Sequence, residues 1–170
     1  MLKLYGKILR TPKTVIPKEE MLKADIGEIG TKLKGEVSRL FRGSLAIREV
    51  DCGSSNAEEQ ELTALSNCYY DCERFGIHFV ASPRHADMLL ITGPGARNMA
   101  EPLRHAYEAT PEPRIIVAVG DDAIDGGIFR GSYAVCDGIK NIIPVDYEIP
   151  GDPPSPKIVL ASLLTILQDR

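Results

Sequence analysis

The chain has 170 residues, an apolar fraction of 44% and a formal net charge of −4, the size and make-up of one globular domain with a real core. No apolar run approaches the roughly 18 residues of a membrane span. The opening residues, Met1-Leu-Lys-Leu-Tyr5, lack the apolar stretch and cleavage site of a signal peptide, so the expected location is the cytoplasm.

Charge is divided unevenly: residues 1–43 hold ten Lys/Arg against five Asp/Glu, and residues 44–170 hold ten against nineteen. A basic arm on an acidic body suits docking to an acidic partner or to anionic lipid, and equally a solvated extension. The acidic body and the few aromatics argue against nucleic acid. The cysteines, Cys52, Cys68, Cys72 and Cys136, form no Cys-x-x-Cys pair and read as reduced thiols.

In chain order, Leu2, Leu4, Ile8 and Leu9 among basic residues predict a short amphipathic turn, stopped by Pro12 and Pro17. Leu22, Ile26, Ile29, Leu33, Val37 and Leu40 are spaced by three and four, which predicts a helix over 18–42 that Gly27, Gly30 and Gly35 weaken. The core that follows reads as complete without this stripe, so the stripe is expected to face a partner. From residue 45 the pattern becomes α/β. Strands are expected over 45–50, 77–81, 87–92 and 114–119, with a short one over 141–145. Met88-Leu-Leu-Ile-Thr92 has the unbroken apolar run of a buried parallel strand. Helices are expected from a cap at residues 54–56 to about Arg74, over 97–109, and from Ser155-Pro156 onward, an N-cap and N1 pair in the favoured order. Strands alternating with helices imply a parallel sheet covered on both faces, with ligands at the carboxyl ends of its strands. The loops after Val50 and Val119 lie at those ends.

Several segments carry a resemblance. Val50-Asp-Cys-Gly-Ser-Ser-Asn-Ala-Glu-Glu-Gln-Glu-Leu62 is followed by Cys68-Tyr-Tyr-Asp-Cys-Glu-Arg-Phe-Gly-Ile-His-Phe79 and Ala81-Ser-Pro-Arg-His-Ala-Asp87. Leu90-Ile-Thr-Gly-Pro94, Asp125-Gly-Gly-Ile-Phe129, Pro144-Val-Asp146 and Ile149-Pro-Gly151 complete the series. In this order they resemble the small subunits of membrane-bound, energy-converting NiFe hydrogenases of the formate hydrogenlyase and hydrogenase-4 type, relatives of the 20 kDa, B-type subunit of complex I. The resemblance spans about residues 44–168. It implies a flavodoxin-like three-layer α/β fold, with residues 1–44 as an N-terminal helical extension and docking arm and 45–170 as the small-subunit domain.

In that family a 4Fe–4S cluster is held by four cysteines. Carried onto this chain, their positions read Ser55, Glu58, Asp122 and Asp152. A cubane cluster takes thiolates or an occasional imidazole, so the resemblance implies a scaffold without its cluster and no cofactor. Cys52 lies three residues before the first of these positions and substitutes only with a shift in register. Three acids converging where a cluster sits in relatives repel one another and lose hydration. Compensation comes from Arg84, Arg130 or a partner's arginine, from a retained proton, or from a hard cation. Splaying into water is the alternative.

Other residues have two readings each. Cys52 is a reactive thiol if exposed and packing if not; Cys68, Cys72 and Cys136 read as packing. Glu61 matches an interface glutamate of relatives, whereas plain chemistry makes it, with Glu58 and Glu59, a stabiliser of a helix N-terminus. His85 reads as structural, His105 as solvent-facing and His78 as packed. Gly53-Ser-Ser-Asn56 between strand and helix suits an anion, but Glu58 and Glu59 would repel a phosphate.

The leading expectation is a cluster-less small-subunit paralogue, a structural or coupling subunit on the cytoplasmic face of a membrane-associated complex. It carries no catalytic residue and no metal. Its partner would be a large-subunit homologue of the complex I 49 kDa type, with ion-translocating membrane subunits as indirect partners. The alternatives are an active electron-transfer subunit with a cluster in unusual ligation, and a free-standing flavodoxin-like binding protein.

Overall fold

The computed structural model describes residues 25–170. The expected turn at Leu2–Leu9 and the first residues of the helix expected over 18–42 lie outside them. Helix α1 (Ile26–Phe41) leads into β1 (Leu45–Asp51), α2 (Ala57–Ala64), β2 (Ile77–Phe79), β3 (Met88–Thr92), α3 (Ala100–Ala109), β4 (Ile115–Val119), α4 (Asp121–Asp125), β5 (Tyr147–Ile149) and α5 (Pro156–Gln168). The five strands form one parallel sheet in the order β2-β1-β3-β4-β5. This is the flavodoxin-like winding, whose topological switch point lies between β1 and β3.

Successive side chains of a strand point to opposite faces, so the apolar runs of β3 and β4 feed two cores. Met88, Leu90, Ile115, Val117 and Val119 face one side, with Leu160 and Leu163 of α5. Leu89, Ile91, Ile116 and Ala118 face the other, with Leu103 of α3 and Ala123 of α4. Ser155 and Pro156 open α5 as expected.

Three expectations are corrected. The α1 stripe does not await a partner: Ile29, Leu33 and Val37 are buried in the first core, beside Leu163 and Leu167. Gly30 belongs to that packing, because a Cβ there would overlap the ring of Phe75. The glycine that weakens α1 in isolation thus lets the helix lie close.

The helix expected to reach Arg74 ends at Ala64. The amides of Leu65, Ser66 and Asn67 donate to carbonyls three residues back, and Asn67 Oδ1 then accepts from Tyr69 and Tyr70. An asparagine that offers the backbone this local bond competes with helix continuation. The strand expected over 141–145 is absent among the described residues: Ile139 and Ile143 pack into the second core, after a 3₁₀ turn over Ile139–Asn141. The chain joins the sheet only at Asp146, whose Oδ2 accepts the Ile116 amide at 2.9 Å. Asp87 does the same before β3, accepting the Ala46 amide at 3.0 Å.

Candidate functional site

The carboxyl ends of β1, β3 and β4 carry two groups of acids. The first lies at the switch point. Asp51 Oδ1 accepts the amides of Gly53 and Ser54 at 2.8 and 2.7 Å, a tight side-chain-closed turn. Ser54 Oγ accepts the Asn56 amide at 2.9 Å and donates to Glu59 Oε2 at 2.5 Å. Thr92, fully buried at the end of β3, donates to the other oxygen of Glu59. Glu49, beside Glu59, has its carboxyl pushed up by burial first and by the Glu59 charge second. The Gly53 and Ser54 amides and the Ser54 hydroxyl are therefore spent on the chain's own carboxylates rather than offered to a phosphate.

The second group lies at the end of β4. Glu58, one residue before Glu59, turns the other way and is 1% exposed, with neither carboxyl oxygen hydrogen-bonded. It lies against Gly120, where a Cβ would stand 2.8 Å from Oε1 and where φ is +93°. Only glycine meets both conditions without strain. Asp122 is 3% exposed. Asp152 is exposed and stands close by, because the Asp121 amide donates to the Gly151 carbonyl and the Gly151 amide to Asp121 Oδ1, both at 2.8 Å. This reciprocal pair ties the turn before α5 to the start of α4.

Burial pushes the Glu58 carboxyl above its ordinary value; its own backbone amide, too poorly aligned to count as a hydrogen bond, opposes this, and the charges of Asp122, Glu59 and Asp152 add to the rise. Asp122 is raised by burial first and by Asp152 second, against an opposing amide bond from Ile128. Three of the four positions picked out by the sequence thus converge electrostatically. The fourth, Ser55, is exposed on the loop before α2.

Neither expected compensating arginine forms an ion pair with these acids. Arg84 sits among Leu40, Ser44, Asp87 and Pro111, residues that precede strands, at the far end of the sheet. Arg130 is exposed and pairs with Asp125 at 3.2 Å. Glu61 is half-buried on α2. Cys52 is fully buried in the second core. Burial first, then Asp51 and Cys136, push its thiol up to about 11. The exposed, acidified thiol that reactivity requires is not present. Among the described residues no group of three or more His, Cys, Asp or Glu is arranged to hold a metal ion.

Sequence reasoning missed two features. The Thr92–Glu59–Ser54 network has no signal in the sequence beyond the acidic first turn. The run after Gly127 belongs to a matched segment, but its exposure is not legible there: Ile128 is 80% and Tyr133 92% exposed. Phe129 and Tyr133 line a groove of about 450 Å³ with Gly53, Pro94, Ala96 and Arg97. The second acid group and this apolar surface meet at Gly127, which lies against the Asp122 carboxylate.

The fold and site have counterparts among known proteins. The chain is 40% identical over 148 residues to formate hydrogenlyase subunit 7 of Escherichia coli, covering 85% of this chain and 58% of that one. It therefore spans little more than half of that relative's length. It is 40% identical over 122 residues to the probable membrane-bound hydrogenase subunit mbhJ of Pyrococcus furiosus, covering 72% of this chain and 73% of the other. A chain of the membrane-bound sulfane sulfur reductase, an archaeal respiratory membrane complex, superimposes with a TM-score of 0.67 at 30% identity, over 80% of this chain and 74% of that one. The family model described as NADH ubiquinone oxidoreductase, 20 Kd subunit, matches residues 55–166. A five-stranded parallel α/β domain with this winding, matched over most of its length, belongs to the NADH ubiquinone oxidoreductase 20 Kd subunit family, together with small subunits of membrane-bound hydrogenases.

Proposed function

We propose that this chain is a structural or coupling subunit of a membrane-associated, hydrogenase-like or complex I-like assembly, and that it carries no 4Fe–4S cluster. The observation that carries this reading is the donor set at the carboxyl ends of the strands. A cubane cluster is held by thiolates. At the corresponding positions stand an exposed hydroxyl, Ser55, two buried carboxyls, Glu58 and Asp122, and an exposed one, Asp152. Cys52, the nearest thiol in sequence, is packed in the apolar core. These residues do not fit the cluster, and no electron-transfer step is drawn through it.

The docking face is the rim around Asp122, where Ile128 and Tyr133 are exposed. Large exposed apolar side chains beside a polar site are characteristic of a protein interface. The partner it suits is a large-subunit homologue, with membrane subunits reached through it on the cytoplasmic side. Lys32 and Lys34 are exposed on α1, within the stretch 1–43 whose sequence is basic. Among the described residues no helix is long and apolar enough to cross a membrane.

The test is iron and acid-labile sulfide content of anaerobically purified protein, with its visible absorbance. Essentially no iron is expected. A full cluster's complement of iron and sulfide would overturn the reading in favour of an electron-transfer subunit with unusual ligation. Co-purification with a large-subunit homologue from the same genome tests the second half: a chain that stays alone when both are co-expressed would be a free-standing protein.

A further inference from the structure

A carboxyl group removed from water and given no hydrogen-bond donor is stable only without its charge. Glu58 meets both conditions: it is 1% exposed and neither oxygen has a partner. Its carboxyl is closed in by Gly120, whose missing Cβ would lie 2.8 Å from Oε1. The charged groups acting on it come from three elements: Glu59 of α2 itself, Asp122 of α4, and Asp152 of the turn before α5. All are acids. The nearby cation in sequence is Lys157, the second residue of α5, which also has an interaction partner. A hard cation would need six or more oxygens around it, and among the described residues no three acids are arranged to hold one.

We propose that the folded chain binds a proton at Glu58 and holds it there as a neutral carboxylic acid. The three acids are graded in depth. Glu58 is 1% and Asp122 3% exposed, while Asp152 is open to water. Each deeper acid feels the charge of the ones above it. A proton leaving Glu58 therefore puts a negative charge among other acids, and the site refills unless a basic group of a partner arrives. Proton release at Glu58 and docking of a cationic side chain on this rim are thereby linked. The inference rests on the reading that no cluster is ligated at position 58.

The experiment is a carbon-13 NMR titration of the side-chain carboxyls of the full chain, on protein first assayed for iron and sulfide. The Glu58 resonance is the one missing from Glu58→Gln. At neutral pH more of it is expected in the acid form than in the carboxylate form, which is a protonated-to-ionised ratio raised roughly 500-fold or more over that of an exposed glutamate. A Glu58 resonance already in the carboxylate form at neutral pH, on iron-free protein, overturns this inference alone. Iron at the site overturns the preceding reading instead. If Glu58→Gln does not fold, Asp122→Asn supplies the assignment and a second check. Removing that like charge should move the Glu58 midpoint to lower pH, and an unmoved midpoint would overturn the action of Asp122 on Glu58.

Discussion

Glu58 and Glu59 are neighbours on one helical turn and meet opposite conditions. Glu59 points toward β3 and receives hydroxyls from Ser54 and Thr92, one on each oxygen. Glu58 points toward β4 and receives nothing. The loop after β1 is a hydrogen-bonded circuit, whereas the end of β4 holds a buried carboxyl, Glu58, with no hydrogen-bond partner among the described residues. The contrast separates structure from unmet demand: polar groups used for folding are paired, and the exception lies on the rim where large apolar side chains are left in water.

The comparison can be broken from its most sensitive point. Gly120→Ala would place a methyl group against Glu58 at a backbone φ of +93°, which should destabilise the chain by about 3 kcal/mol in urea unfolding. A loss too small to measure would mean that Glu58 swings freely and is not confined. Thr92→Val keeps the shape of the buried residue and removes one donor from Glu59, so a loss of roughly 1–2 kcal/mol is expected. An unchanged midpoint would show that the switch-point circuit does not depend on that hydroxyl.

Glu58→Met should act in the other direction, raising stability by about 1 kcal/mol at mildly alkaline pH by removing an unsatisfied buried acid. Its pH dependence has a definite sign. Burial and neighbouring acids raise the Glu58 carboxyl in the folded chain. The native state then keeps a proton that the unfolded chain has released, and stability falls as pH rises above the ordinary glutamate value, until the raised value is passed. Asp122, raised for the same reasons, adds to the fall. The gain from Glu58→Met should be least in acid and grow toward alkaline pH, in paired denaturation curves; a gain independent of pH would mean that Glu58 is not protonated. The smallest effect belongs to Arg130→Ala. Its pair with Asp125 is exposed on both sides, and a change within about 0.5 kcal/mol is expected.

Much of this architecture was legible in the sequence because the strands are buried on both faces. Unbroken apolar runs such as Met88–Thr92 and Ile115–Val119 are as short as a strand, and without polar alternation they demand cover on both sides. Elements that depend on competition were not legible. The end of α2 at Ala64 is decided by Asn67, a residue compatible with a helix until its side chain takes two amides. The last strand was expected at an Ile-Ile-Pro-Val run, whereas those isoleucines pack beneath α3 and the strand begins after Asp146. The three converging acids were found because the resemblance named their positions; their spacing in sequence, 58, 122 and 152, carries no period. That one of them would lie buried without a partner, and that both candidate arginines would lie away from it, followed only from the packing.

The outer strands, β2 and β5, have three residues each. At about 3.3 Å per residue either border of the sheet presents a ribbon of roughly 10 Å. That is too short to template the addition of a foreign strand, and short borders are one means by which sheets avoid sideways polymerisation. Growth of an assembly by extending this sheet is therefore disfavoured on both sides. In the assembly we propose, the chain is therefore seated end-on, its rim pressed into a neighbour like a plug, and its place is set by what that rim presents.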